Sequence, residues 1–276
     1  MTTQTASGRA TVLSAHNIEL SYAQPNKRAN TVLRDFSMEL AAGEVLAVLG
    51  PSGVGKSSLL RVLAGLQTPN KGTVHINGEQ LLGPHPRLGF VFQDPCLLPW
   101  LNLEQNVGFG LDFKYQPHIS PAEKQQRIHA AIAEVDLLRA KERYPAELSG
   151  GMAQRASLAR GLARKPEILL LDEPFSALDE ITRSEMQALL QQITARHQTS
   201  AVLVTHDIDE ALIVADRILL IGRVPGRLIG EWHIDLPHPR DEVLPELTDM
   251  RVEIVQTLRE ARRAARDPSN PDSRVQ

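Results

Sequence analysis

The sequence predicts an α/β fold with a largely parallel sheet, an antiparallel β region ahead of it and a helical region inserted into it. Short, continuous apolar runs occur at 45–49, 168–171, 201–204 and 218–221, and helical patterns separate the later ones. Such runs are typical of strands that are buried on both faces of a parallel sheet. Residues 94–165 lack this alternation and are predicted to be mostly helical, which indicates an inserted subdomain.

Composition and charge indicate an ordinary globular chain. Of its 276 residues, 42 % are hydrophobic and 23 % are charged, and the formal net charge is −3. That charge gives no electrostatic reason to expect nucleic acid as a partner. No apolar run approaches the roughly 18 residues that would span a bilayer. The polar residues 1–10 lack the apolar core of a signal peptide, so we expect a cytoplasmic protein.

The amino-terminal segments are predicted to be β-rich. Residues 1–10 are small and polar and are expected to be disordered. A polar loop at 24–27 separates the first two β-like runs, and Asn77-Gly78 is a typical turn between antiparallel strands. The β-like runs are 13–22, 32–40, 72–76 and 88–92.

Helices are predicted from capping signals and from apolar spacing. Ser120 is expected to cap a helix that starts at Pro121 and has Glu123 at the capping-box position. The apolar stripe of this helix comprises Ile128, Ala131, Ile132 and Val135. Further helices are predicted at 179–197, 209–214 and 248–265, with a short strand at 228–232.

A glycine-rich stretch of the form G-x-x-x-x-G-K-S joins the strand at 45–49 to a helical pattern. Its backbone N–H groups and the positive end of the helix dipole suit a phosphate chain. Lys56 is expected to reach the β- and γ-phosphates, and the Ser57 hydroxyl to ligate Mg²⁺. An ordinary glycine-rich turn is the alternative, but the strand-to-helix setting favours a nucleotide site. The expected contacts are Gly50, Pro51, Ser52, Gly53, Val54, Gly55, Lys56, Ser57 and Ser58.

Two adjacent carboxylates follow the buried run at 168–171. Asp172 and Glu173 lie at the carboxyl edge of the predicted sheet, where ligands bind in open α/β folds. Because strand side chains alternate, we expect the two acids to face different ways. Asp172 would join the Mg²⁺ shell, and Glu173 would polarise the attacking water. The alternative is a pair of acids that caps a helix.

The cysteine and histidine content argues against other metal sites. The single cysteine, Cys96, cannot form an internal disulfide, and we expect it to be a small buried hydrophobe. The nine histidines show no metal-ligand spacing within one helix. We therefore expect no protein-bound metal other than Mg²⁺ that accompanies a nucleotide.

A second glycine-bearing stretch, L-S-G-G-M-A-Q-R at 148–155, opens a predicted helix. Its serine can cap this helix, and its glycines leave the first N–H groups free for an anion, although a plain capped helix start is the alternative. The stretch resembles the signature L-S-G-G-x-x-Q-R of the ATP-binding subunits of ABC transporters. The resemblance covers roughly residues 11–225. It implies nucleotide contacts by Ser149, Gly150, Gly151 and Gln154.

The resemblance also implies roles for four isolated residues. Gln93 matches the family's glutamine at Mg²⁺ and the γ-phosphate, and His206 matches its switch histidine. Asp179 matches the D-loop, which the family uses across a dimer interface, and Tyr22 matches the aromatic residue that stacks on adenine. Without this resemblance, the histidine and the tyrosine would be expected to be structural. The implied catalytic set is Glu173, His206, Gln93 and Lys56, with Ser57, Gln93 and Asp172 at the metal.

The family's architecture is a P-loop NTPase (RecA-like) core with an amino-terminal antiparallel β subdomain and an inserted α-helical subdomain. The resemblance therefore implies an ATPase domain at 11–225 with its helical subdomain at about 94–165. A short carboxy-terminal extension would follow at 226–265, and a disordered tail at 266–276. The extension is too short and too helical for an added β-barrel sensing domain.

The implied cofactors are ATP and Mg²⁺, and the implied assembly is a head-to-tail homodimer that closes over two ATP molecules. ATP would bridge the two chains, whereas ADP lacks the phosphate that the second helix start would contact. The implied partners are integral-membrane permease subunits and, indirectly, an extracytoplasmic solute-binding protein. This assembly would place the chain peripherally on the cytoplasmic face of the inner membrane, without nucleic acid.

Three segments resemble those of importers for nitrate, sulfonates, taurine and related small anions, and importers for thiamine-pyrimidine precursors share them. These are L-L-P-W-L at 97–101, D-E-P-F-S-A-L-D at 172–179 and P-G-R-L at 225–228. The last segment reads R-V-P-G-R-L from 223, which departs from the usual R-P-G-R-I form. Exposed Trp100 and Leu101 would form a groove for a partner helix, or would instead anchor the core of the helical subdomain. An exporter or lipoprotein-handling ABC complex and a soluble nucleotide-switched clamp are the alternative functions.

Overall fold

The computed structural model describes residues 9–24, 27–113, 116–240 and 245–266. The strands are β1 Thr11–Gln24, β2 Lys27–Ala41, β3 Val45–Leu49, β4 Lys71–Ile76, β5 Glu79–Gln80, β6 Leu88–Val91, β7 Ile168–Asp172, β8 Ser200–Thr205, β9 Arg217–Gly222 and β10 Arg227–His233. The helices are α1 Lys56–Leu63, α2 Leu103–Gly108, α3 Pro121–Glu134, α4 Gly150–Leu162, α5 Glu180–His197, α6 Ile208–Val214 and α7 Thr248–Arg266.

The central sheet has six strands in the order β10-β9-β3-β8-β7-β6. Its strands run parallel from β6 to β9, and β10 pairs antiparallel to β9. Every residue of β3, β7 and β8 is buried, as expected for parallel strands covered on both faces. The predicted α/β fold class is therefore confirmed. The carboxyl ends of these strands meet at one edge, which is where the candidate site lies.

An antiparallel sheet of four strands, in the order β2-β1-β4-β5, packs against one face of the central sheet. Alternate strand residues such as Ile18, Phe36 and Val48 meet α1 in one buried cluster. Asn77 and Gly78, with φ of 50° and 82°, form the predicted turn between β4 and β5. Of the predicted loop at 24–27, Gln24 ends β1 and Lys27 begins β2, and residues 25 and 26 lie outside the described residues.

Helices α2, α3 and α4 lie between β6 and β7 in the chain and pack on the other face of the central sheet. The stripe predicted for α3 is buried in this cluster, which confirms the helix and its orientation. Ser120 caps α3 by accepting from the Glu123 amide N at 3.2 Å. A capping box would also require the Glu123 side chain to accept from the Ser120 backbone N–H, but the Glu123 carboxylate instead accepts from Arg127 Nε at 3.0 Å.

The carboxy-terminal helix α7 covers β9 and β10 through an apolar cluster that contains Ile254 and Leu258. Of the described helices, none is long and apolar enough to cross a membrane. The predictions of disorder for 1–10 and 266–276 fall almost entirely outside the described residues.

Candidate active site

The loop between β3 and α1 has two positions, 50 and 55, that require glycine. Gly55 precedes α1 with φ of 105°, and a Cβ there would lie 2.7 Å from Val32 Cγ1. A Cβ at Gly50 would lie 2.5 Å from the Ile221 carbonyl oxygen. A side chain at Gly55 would strain the backbone as well as clash, and a side chain at Gly50 would force the loop away from Ile221. The loop is thus shaped for close approach of a phosphate chain to its backbone.

Lys56 lies within this loop, with only 4 % of its surface exposed. Its Nζ donates to the carbonyl oxygens of Gly50 and Pro51 at 2.9 and 3.1 Å and lies 3.5 Å from Glu173 Oε1. Burial lowers the pKa of Lys56, while the charge of Glu173 opposes that shift. A desolvated ammonium held in this way suits recognition of phosphate oxygens.

Ser57 and Asp172 come together beside the loop, although 115 positions separate them in the chain. The Ser57 hydroxyl donates to Asp172 Oδ1 at 2.8 Å, and Asp172 is buried. Burial raises the pKa of Asp172, the bond from Ser57 opposes that change, and the charge of Glu173 adds to it. Hydroxyl and carboxylate oxygens are ligands that Mg²⁺ prefers, so these residues fit the ion.

Glu173 turns out of the strand that Asp172 ends. Its φ is 43°, and its backbone N–H donates to the Val204 carbonyl oxygen at 2.9 Å. Its Oε2 lies 3.1 Å from His206 Nδ1 and 3.5 Å from Gln93 Nε2. The two acids do face different partners, but the cause is this left-handed backbone and not strand alternation alone. An unusual backbone of this kind is often found at active sites.

The structure therefore brings most of the predicted catalytic residues to one edge of the sheet. A groove of about 490 Å³ lies over the phosphate loop, and Lys56, Ser57, Gln93 and Glu173 are among its lining residues. Tyr22 lies at its margin, because its hydroxyl bonds Ser58 Oγ at 3.1 Å and Gln67 Oε1 at 3.0 Å. The Tyr22 side chain is partly exposed and lies next to the loop.

The first turn of α4 is not joined to this groove. Ser149 caps α4 by accepting from the Met152 amide N at 3.3 Å. A Cβ at Gly151 would lie 2.4 Å from Thr182 Cγ2, so this turn packs on the start of α5. Thr182 in turn bonds Asp179, the cap of α5, from its amide N at 3.1 Å and from Oγ1 at 2.8 Å. Among the described residues, no hydrogen bond or ion pair links the first turn of α4 to the phosphate loop.

Two further observations concern this second helix start. Gln154 is buried, and its Nε2 has no hydrogen-bond partner among the described residues. The bonds that Asp179 accepts from Thr182 lower the pKa of Asp179. Predicted nucleotide contacts therefore form two groups in one chain, one at the phosphate loop and one at α4 and α5.

Comparison with known proteins agrees with this geometry. A family model described as "ABC transporter" matches residues 33–176. An aliphatic sulfonates import ATP-binding protein, SsuB 2 of Burkholderia lata, is 45 % identical over 230 residues, which are 83 % of this chain and 82 % of that protein. The chain belongs to the ABC transporter family. SsuB 1 of Xanthomonas axonopodis pv. citri is 44 % identical over 229 residues, or 83 % of this chain and 90 % of that protein.

Solved structures support the same assignment. The ATP-binding cassette MJ0796, in a dimeric post-hydrolysis state bound to ADP and Pi, matches with a TM-score of 0.72 and 29 % identity over 82 % of this chain and 100 % of that chain. CbiO1 of Clostridium perfringens, part of the ABC transporter complex cbiONQ, matches with a TM-score of 0.71 and 25 % identity over 91 % of this chain and 99 % of that chain. The protein is an ABC ATPase, and it binds ATP.

A buried network behind the site of this ABC ATPase escaped the sequence analysis. Glu210 Oε2 accepts from Thr205 Oγ1 at 2.6 Å, and Glu210 Oε1 lies 3.6 Å from Arg183 Nε. Arg183 also donates to the Leu178 carbonyl oxygen at 3.1 Å. The network thus ties the strand end before His206 to the segment before α5. Burial raises the pKa of Glu210. No local pattern in the sequence signals this contact, because Arg183 and Glu210 are distant in the chain.

The segment after Gln93 is fixed by α4. Arg160 on α4 donates to the carbonyl oxygens of Cys96 and Pro95, both at 2.8 Å. Cys96 has φ of 48° and is exposed, so the prediction of a buried cysteine is wrong. The cause is a contact with a distant residue, since Arg160 of α4 holds this turn by its backbone carbonyls and the thiol stays outside the core.

The next turn presents Trp100 to solvent, with 69 % of that residue exposed. Asn106 is fully buried and donates to the carbonyl oxygens of Leu98, Leu101 and Asn102 at 2.9 to 3.1 Å. The suggestion that Trp100 anchors the helical core is therefore wrong. Asn106, which the sequence analysis did not single out, holds the turn instead.

Proposed function

We propose that this ABC ATPase powers the uptake of a small anion, such as an aliphatic sulfonate, taurine or nitrate, through a separate membrane permease. The observation that carries the proposal is the convergence of Lys56, Ser57–Asp172 and Glu173–His206 at one sheet edge. The choice of an aliphatic sulfonate follows the names of relatives that are 44 to 45 % identical.

In the proposed mechanism the loop amides and Lys56 bind the phosphates, and Ser57, Asp172 and Gln93 hold Mg²⁺. The ion, when bound, neutralises phosphate charge. Glu173 accepts a proton from the attacking water, as a carboxylate within reach of the γ-phosphate site can. His206 orients that carboxylate, because its Nδ1 lies 3.1 Å from Glu173 Oε2. No covalent intermediate with the protein is required.

We further infer a head-to-tail dimer in the assembled transporter. The capped, exposed start of α4 would meet the γ-phosphate held by Lys56 of a second copy. Asp179 would lie at the same interface. Helix starts favour anions through free N–H groups and the helix dipole. ATP would then close the dimer and hydrolysis would open it, so that nucleotide affinity drives the permease.

The proposed partners are integral-membrane permease subunits and, indirectly, an extracytoplasmic solute-binding protein, with this chain on the cytoplasmic face of the inner membrane. Trp100 supports a docking role, because a largely exposed tryptophan on a fixed turn is a typical interface anchor.

The test combines recovery of partners with uptake. Tagged protein is purified from native membranes and its partners are identified by mass spectrometry, and uptake of labelled ethanesulfonate, taurine and nitrate is measured in a strain that lacks the gene. We expect a multispanning permease, and uptake of one of these anions that wild type restores and Glu173→Gln does not. Recovery of ribosomes or DNA alone, or uptake unaffected by the deletion, would contradict the proposal.

A further inference from the structure

A second groove lies on the outer side of the phosphate loop, between that loop and the carboxy-terminal helix α7. Its volume is about 220 Å³, and residues 51–54 of the loop, the turn at 222–224 and α7 form its walls. This volume is below the roughly 300–1,000 Å³ of sites for drug-sized ligands, so it suits a smaller molecule. Ser52 and Gly53 line both grooves, whereas Lys56 and Glu173 line the catalytic groove alone.

The walls of this outer groove combine apolar surface with two cations. Val54, Val224, Leu258 and Ala261 provide the apolar part, and Arg223 and Arg262 carry the charge. None of the described residues that line the groove has a carboxylate. Transfer of an alkyl group from water to this apolar surface is favourable in free energy. A guanidinium binds oxyanions through paired N–H donors.

The charges of these two arginines are uncompensated within the part of the chain that the structure describes. Neither guanidinium has a hydrogen-bond or ion-pair partner there. Other arginines nearby do find carboxylates. Arg251, also on α7, bonds Asp209 at 2.6 Å, and Arg217 on β9 bonds Glu44 at 2.6 Å. A pair of unpartnered cations facing one groove raises the local concentration of anions.

We propose that this groove binds a short-chain organic oxyanion, with its head group between Arg223 and Arg262 and its alkyl group against Leu258 and Ala261. The inference is independent of which solute the transporter carries. Because the groove shares residues 51–54 with the phosphate loop, the ligand's negative charge lies close to the nucleotide phosphates. Its binding therefore weakens the binding of ATP, and ATP weakens its binding by the same factor.

The test is isothermal titration calorimetry of the full-length protein with hexanesulfonate at low salt. We expect hexanesulfonate to bind at one site per chain and inorganic sulfate to bind at least about tenfold more weakly. The double variant Arg223→Gln/Arg262→Gln should bind hexanesulfonate at least about tenfold more weakly than wild type does. The matched control is Arg259→Gln, an exposed arginine of the same helix outside the groove, which should bind as wild type does. Saturating hexanesulfonate should weaken ATP binding by about 5- to 150-fold, the usual range of coupling between sites.

A Lys56→Ala variant separates this groove from the nucleotide site. It should retain hexanesulfonate binding, because Lys56 is not part of the outer groove. Loss of binding in Lys56→Ala would place the probe on the inner face of the phosphate loop and overturn the inference. Equal affinity for wild type and the double arginine variant, or no binding at all, would also overturn it. The proposed transport function would survive each of these results, since it depends on the catalytic residues.

Discussion

The two glycine-bearing helix starts of this chain differ in how far other parts of the chain surround them. The start of α1 is surrounded by groups from distant parts of the same chain, and Lys56 in it is only 4 % exposed. The start of α4 is capped by its own Ser149, and Ser149 and Gly150 are exposed. One chain therefore surrounds the first helix start with its own side chains and leaves the second open. Two helix starts that look equivalent in sequence thus differ in the structure, and the proposed dimer would give the open one its phosphate.

The largest effect is expected on turnover, from a substitution beside the phosphate loop. Glu173→Gln removes the proposed proton acceptor while leaving the residues of the phosphate loop unchanged, so we expect turnover to fall by about 10²- to 10⁴-fold while ATP still binds. Turnover and ATP affinity are measured separately. Glu180→Gln is the control, because its carboxylate is 90 % exposed at the start of α5. Normal hydrolysis by Glu173→Gln would remove Glu173 from the catalytic role.

Lys56→Ala should weaken ATP binding itself. Truncation of one member of a buried, hydrogen-bonded charge contact costs about 2–5 kcal/mol, which corresponds to about 30-fold or more in affinity. Titration with a fluorescent ATP analogue measures the change. Lys71→Ala is the matched control, since the Lys71 side chain is 71 % exposed on β4. Unchanged affinity in Lys56→Ala would contradict the assignment of the phosphate loop.

The adjacent glycines of α4 are expected to respond differently to substitution by alanine. A Cβ at Gly150 meets no atom within 4 Å, so Gly150→Ala should leave the free energy of unfolding unchanged or slightly raised. If the open turn receives a phosphate from a second copy, the same change should lower ATPase activity at least about tenfold. Gly151→Ala should instead destabilise the fold by about 1–3 kcal/mol, because its Cβ would lie 2.4 Å from Thr182 Cγ2. Full activity in Gly150→Ala would argue that this turn does not contact nucleotide.

Glu210 gives a pH-dependent prediction. Burial raises its pKa, so the native state holds this proton more tightly than the unfolded state does. Its contribution to stability therefore falls as pH rises from its ordinary value of 4.5. Glu210→Gln, which cannot ionise, should gain stability relative to wild type with rising pH, by about 1.4 kcal/mol for each unit of the shift. Urea unfolding at pH 5 and pH 7.5 measures this, and a relative gain that shrinks with pH would refute it.

The smallest effect is expected at Trp100. Because this residue is largely exposed, Trp100→Ala should change stability by less than about 0.5 kcal/mol and leave the ATPase activity of the isolated chain unchanged. It should nevertheless reduce recovery of the permease from membranes. Asn106→Ala, which leaves three carbonyl oxygens of the turn without this donor, should lower both stability and recovery. Normal recovery in both variants would locate the permease contact elsewhere.

The sequence predicts those parts of the molecule that depend on local pattern. The apolar run of β7 predicts a buried strand, and the glycines before Lys56 predict a tight phosphate-binding turn. Both are predictable because the signal lies in the residues of the element itself. Ser57 and Asp172 are both predicted at the Mg²⁺ because β3 and β7 end at the same carboxyl edge of one sheet, although β8 lies between them.

Other features depend on contacts between distant residues. The left-handed backbone of Glu173, the carbonyl bonds from Arg160 to the Cys96 turn, and the approach of Arg183 to Glu210 have no local signal. Their partners meet only after the sheet and the helices have packed. For the same reason the sequence suggested a buried Cys96, which the structure places at the surface.

The central claim is that the open turn of α4 is completed by ATP on a second copy. Light scattering of the Glu173→Gln variant with saturating ATP and then with ADP, both with Mg²⁺, tests it most directly. We predict twice the 30.4 kDa mass of one chain with ATP and the mass of a single chain with ADP. The same mass with both nucleotides would contradict the claim.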